Sequence, residues 1–257
     1  MHITFTDKMN LAKNNLSKLI PKPLRIISMD EVVREEKDQK WTNYLGVTRE
    51  EDHTIMIGLN EKYPEFQESV FIHEILHRIL EQEGFPQIHL NHSKLKNYQP
   101  KVHWLFYYLS GRLSEILDHP TIYLRMEDEY NLNLTSYFDF HASKILNEID
   151  DLHLKGDDFN SKVNSLFFAI EIDYYHEPWA TETLEYIFEK FPFVKMDIEH
   201  LLRRLEAYDV NKVDSCKARA KFILTYFKKI LVKENTEFRE GLSGLTLYGN
   251  GKNSKKL

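Results

Sequence analysis

Residues 68–86, ESVFIHEILHRILEQEGFP, constrain this chain more than any other stretch. From Val70 to Leu80 the side chains are mainly Val, Phe, Ile and Leu, yet His73, Glu74 and His77 sit among them. Pro64 suits a first helical position, Gly84 suits a C-terminal cap, and Pro86 lies just beyond. At about 100° per residue, Phe66, Val70, His73, Leu76, His77 and Leu80 share one face. Phe71 and Ile75 take the opposite face, so the centre of the helix is apolar nearly all round and is expected to be buried. A buried charge without a partner is costly, so the three titratable groups need something to bind.

A metal ion meets that need. Positions i and i+4 bring the two imidazoles to the same side of a helix, close enough to share one ion. Glu74 projects about a quarter-turn away, suited to a water on the ion rather than to the ion itself. In this H-E-x-x-H arrangement the glutamate is a general base. The competing reading is a helix whose histidines are solvated or satisfied within the core.

The whole chain is compatible with a sheltered site. Its 257 residues can form one large domain or two smaller ones, and 42% hydrophobic with 29% charged residues is an ordinary globular balance. No run approaches the roughly 20 apolar residues of a membrane span. The start, MHITFTDKMN, lacks the pattern of a secretory signal. A single cysteine, Cys216, excludes an internal disulfide framework and fits a reducing compartment. The formal charge of -6 gives no overall attraction to nucleic acid or anionic lipid. The expectation is a cytoplasmic protein with neither membrane nor nucleic acid as partner.

The segment FIHEILHRIL resembles the active-site helix of the zincin superfamily of zinc metallopeptidases. The resemblance implies an α+β fold: a zincin-like N-terminal region, with a small antiparallel sheet and this helix, followed by a helical region. It also implies a Zn2+ cofactor and a peptide or protein substrate. WTNYLGVTREEDHTIMIGLN reads as two strands around a polar turn at residues 50–53. Zincins place an antiparallel edge strand just before the helix, where a peptide can add, and TIMIGLN resembles that strand, with Gly58 allowing close approach. An ordinary edge strand is the competing reading. After His77 the chain lacks glycine and histidine at the metzincin offsets, which excludes that subgroup.

The remaining resemblance is to gluzincins, whose third ligand is a glutamate on a later helix. Pro100 can start such a helix, and His119–Pro120 is expected to break it. Trp104, Tyr108, Gly111, Glu115 and Asp118 would line one face, with Gly111 letting another helix approach. Glu115, 38 residues after His77, is the candidate ligand. Asp118 and His119 compete with it, as ligands or as groups orienting a ligating histidine, and either could simply cap a helix end. A cytosolic zincin is also similar to the ImmA/IrrE-type intracellular peptidases.

Elsewhere, DKMNLAKNNLSKLI reads as a helix, LRIISM as a strand, and the chain after residue 130 as four or five helices. The expected regions are 1–130 catalytic, 131–240 helical, and 241–257 a flexible basic tail in which LTLY could dock. His176, with Tyr174 and Tyr175 in DYYHEPW, is a candidate to stabilise a developing oxyanion; an aromatic packing seam is the competing reading. His141 reads as a core-edge histidine, Cys216 as a small buried residue, and the lysines and arginine of 212–233 as a solvated helical face. Together these residues suggest peptide hydrolysis, with His73, His77 and Glu115 holding zinc and Glu74 as general base. The alternative is an inactive helical interaction or regulatory protein that retains a structural metal site.

Overall fold

Hydroxyl caps start the first two helices. Thr6 Oγ1 accepts from the Met9 amide at 3.2 Å and opens α1 (Asp7–Leu19); Ser28 Oγ accepts from the Glu31 amide at 3.2 Å and opens α2 (Met29–Glu36). Between them lies β1 (Leu24–Ser28). The computed structural model describes residues 4–37, 44–50, 54–90, 100–156, 158–175, 177–231 and 245–249. The anticipated hairpin is present as β2 (Gly46–Glu50) and β3 (Ile55–Leu59). A single 3-10 turn at Pro64–Phe66 leads into α3 (Gln67–Glu83), and Gly84 ends that helix at φ +88°, a conformation that favours glycine. Helix α2 was not anticipated, although Ser28 and Glu31 have the spacing of a capping box.

The sheet has order β1-β3-β2 and is mixed: β1 runs parallel to β3, and β2 antiparallel. The expected small antiparallel sheet is therefore only half right. The expected edge placement of TIMIGLN is wrong, because IMIGL is the central strand. Its alternate residues face different helices. A side chain at Gly58 would meet Val32 of α2, and Met56 clusters with Val32, Met29 and Ile27. A side chain at Gly46, whose register partner is Leu59, would instead meet Val70 and Glu74 of α3. With α2 on one face and α3 on the other, every residue of β3 is buried. Gly58 thus serves packing against α2, and the antiparallel edge beside α3 is β2.

The chain divides into two compact units, each made of separate stretches: Met1–Glu83 with Ile122–Tyr137, and Gly84–Thr121 with Phe138–Leu257. The expected regions were contiguous. The difference arises in α4 (Pro100–Asp128), which starts at Pro100 as anticipated but continues through Pro120. Its missing amide leaves the Ile116 carbonyl without its helical donor, and Arg219 Nη1 donates there at 2.8 Å. Among the described residues nothing lies within 4 Å of a β-carbon placed on Gly111, so none of them makes the close helix contact expected there.

Helix α5 (Thr135–Lys155) starts in the first unit and belongs to the second from Phe138; α6 (Asp158–Ile172), α7 (Trp179–Lys190), α8 (Lys195–Leu205) and α9 (Val213–Leu231) follow in the second, making five helices among the described residues after 130. The segment around LTLY is β5 (Leu245–Gly249), antiparallel to β4 (Pro86–Leu90). The fold is mixed α+β and mostly helical. Among the described residues no helix is long and apolar enough to cross a membrane.

Candidate metal centre

Because α3 is covered by β2 and β3 on one side and α1 on another, its middle is buried on every face. His73 is 5% exposed and Glu74 8%, so both titratable groups lie where the apolar pattern put them. The imidazoles of His73 and His77 meet: their Nε2 atoms are 3.2 Å apart, with ring planes at 76°. Two nitrogens on a tetrahedral zinc, at about 2.0–2.1 Å from it, would lie about 3.3–3.4 Å apart. The pair fits that spacing.

His119 joins them. Ligand atoms of His73, His77 and His119 all lie within 4.8 Å of one another, and among the described residues this is the group of three or more such side chains that could hold an ion. Three neutral imidazoles are a familiar zinc donor set, and three protein ligands leave a fourth position open. Glu115 lies outside the group. Its carboxylate pairs with Arg112 at 3.1 Å and is 33% exposed. The same guanidinium reaches buried Glu171 at 3.2 Å, so Glu115 belongs to an ion-pair cluster on α4. Asp118, 4% exposed, accepts from the Gln87 amide at 3.4 Å. Of the three contenders on α4, the structure brings only His119 to the pair.

Two tyrosines wall the site. The ring of His73 packs against those of Tyr123 at 5.8 Å and Tyr137 at 6.2 Å, and both are buried. Tyr137 in turn meets Phe66 edge-on at 6.1 Å. Sequence reading missed both tyrosines. Tyr123 is one turn after His119, a signal hidden by the expected break at Pro120; Tyr137 carried no signal beyond apolar periodicity.

Glu74 faces the sheet edge. A β-carbon on Gly46 would stand 3.0 Å from Glu74 Oε1 and closer still to Val70, so only glycine lets β2 come this near α3. The Asn60 amide donates to the Leu45 carbonyl at 2.9 Å. In an antiparallel ladder that makes 45, 47 and 49 the residues bonded to β3, and turns the amides and carbonyls of 46, 48 and 50 outward. Arg78 takes one of these groups, Nη2 donating to the Thr48 carbonyl at 3.1 Å. Gly46, beside Glu74, is thus the outward position nearest the general-base candidate.

The remaining candidates are elsewhere. His176 lies outside the described residues. Tyr175 stacks on Phe138 at 4.7 Å and donates to Glu171 at 3.2 Å, as a packing seam would. Tyr174 lies under the Arg219 guanidinium at 5.3 Å, and burial pushes its hydroxyl pKa up. Burial likewise pushes the Cys216 thiol up, leaving it protonated and 3.2 Å from the Val210 carbonyl. Burial, with Lys144 nearby, lowers His141 from 6.5 to about 3, so this histidine stays neutral. Arg219 is 1% exposed and does not belong to a solvated basic face. No known protein family, curated protein or solved structure matches this chain.

Proposed function

We propose that this chain is a zincin-like, zinc-dependent peptidase acting in a reducing, cytoplasmic compartment on a peptide or protein strand. The observation that carries the reading is the convergence of His73 and His77 of α3 with His119 of α4, with Glu74 buried beside His73 on α3. The three imidazoles would hold the ion. A zinc ion there supplies Lewis-acid polarisation of a carbonyl and lowers the pKa of a bound water toward about 7. A peptide adding alongside β2 would find the outward amide and carbonyl of Gly46, next to Glu74. Glu74 Oε1 accepts a proton from the attacking water and returns it to the leaving amine nitrogen. Burial of the site beside Tyr123 and Tyr137 excludes bulk water and strengthens each charge interaction.

The expected third ligand changes from Glu115 to His119 in this proposal, and His176 is given no role. Among the described residues three side chains make up the cluster, and a three-ligand set suits a catalytic zinc, whereas a structural one is normally closed by four protein ligands. The test is Glu74→Gln, an isosteric change that leaves the imidazoles alone. Zinc content and Tm are expected to stay near wild type while hydrolysis falls about 10²- to 10⁴-fold. Lysate proteins incubated with each form supply the substrate. Identical cleavage by wild type, the variant and metal-stripped protein would refute the peptidase reading.

A further inference from the structure

We infer that Arg219 is a positioning residue for the metal centre: its guanidinium replaces the helical hydrogen bond that Pro120 removes, and so fixes the turn of α4 that presents His119. The inference rests on the metal reading above. Proline inside a helix removes the donor to residue i−4 and presses its ring on that same carbonyl. Here the carbonyl is Ile116, three residues before His119. Arg219 Nη1 donates to it at 2.8 Å from a side chain 1% exposed. A charged donor makes a stronger bond than the peptide amide it replaces.

The next residues of the turn are tied to the same region. Thr121 Oγ1 donates to the Val210 carbonyl at 2.7 Å, and Cys216 Sγ on α9 lies 3.2 Å from that oxygen. Asp118 is held by Gln87. Ile116 and Thr121 therefore bracket the triplet Asp118–His119–Pro120, with Arg219 holding the weak end. The guanidinium also lies over the Tyr174 ring at 5.3 Å and close enough to Asp173 to favour its charged form, while its Nε and Nη2 are buried. If Arg219 merely filled space, an apolar side chain would be cheaper to bury. The carbonyl of Ile116, deprived of its helical donor by Pro120, is the acceptor that the guanidinium reaches at 2.8 Å.

A double-mutant cycle with Pro120→Ala separates positioning from general structural support. Alanine restores the amide at 120, which can donate to Ile116 within the helix. Cobalt(II) affinity, read by chelator competition and by the visible spectrum, is measured for wild type, Arg219→Met, Pro120→Ala and the double variant. Arg219→Met alone is expected to weaken cobalt binding about 10- to 100-fold, the range for residues that orient ligands. Adding Pro120→Ala should recover most of that loss. Equal losses in both backgrounds, or no loss in either while wild type binds cobalt, overturn the inference alone. Wild type that takes no cobalt overturns the metal reading and this inference with it. Should Arg219→Met not fold, folding of the double variant with the cobalt affinity of Pro120→Ala supports the replacement, and failure of both to fold overturns it.

Discussion

An imidazole and a carboxylate four residues apart on a helix point only about 40° from each other, since four residues turn it by about 400°. Glu115 and His119 stand in that relation, and both are metal ligands by type. Helical periodicity could therefore bring the reading to this face of α4 without choosing between them. The choice depends on neighbours far away in sequence: Arg112 and Glu171 engage one end of the face, while His73 and His77 approach the other. His119→Ala should cost more than about 100-fold in zinc affinity, beyond the loss typical of residues that only orient ligands. Glu115→Ala should change it by no more than a few-fold, because a partly exposed ion pair contributes little. Chelator competition on the two variants measures both. A larger loss for Glu115→Ala would return the carboxylate to the ligand set.

Among the elements, α3 was legible almost to its ends because several signals agree: Pro64, an all-round apolar centre and Gly84. The strands were legible as strands but not in their places. IMIGL has an unbroken apolar run, as expected of a strand covered on both faces, whereas GVTRE turns polar after Val47, is nowhere fully buried and has an open edge. What hid this was α2, which supplies the second cover and was not foreseen. Gly58 does permit a close approach, but to Val32 of α2; the glycine that lies against Glu74 is Gly46. Gly46→Val should overpack this contact at a cost of about 1–3 kcal/mol. In a chain of this size that lowers Tm by roughly 2–10 °C. Zinc content should be retained, because the spacing of His73 and His77 depends on α3 itself. Thermal melting and metal analysis check the two halves. An unchanged Tm would mean that β2 does not pack this tightly on α3.

At the scale of the whole molecule, neither unit could be read from local pattern. The chain leaves the first unit after Glu83, re-enters at Ile122 and leaves again after Tyr137, and β5 pairs with a strand more than 150 residues earlier. Such pairings are set by tertiary packing, to which a window of neighbouring residues is blind. One consequence is measurable as acid sensitivity. His141 lies in the second unit, and its pKa is lowered from 6.5 to about 3, first by burial and then by Lys144. The unfolded chain therefore binds a proton below about pH 6.5 that the folded chain refuses until about pH 3. The stability associated with neutral His141 is complete above pH 6.5 and is lost as pH falls toward 3, with a slope approaching about 1.4 kcal/mol per pH unit. His141→Gln carries no such proton. Urea unfolding of both proteins between pH 4.5 and 7.5, with chelator present, should give the wild type a steeper decline by close to one proton. The remaining histidines are common to both proteins and cancel in the difference. Parallel curves would show that the His141 ring is protonated as readily in the fold as out of it.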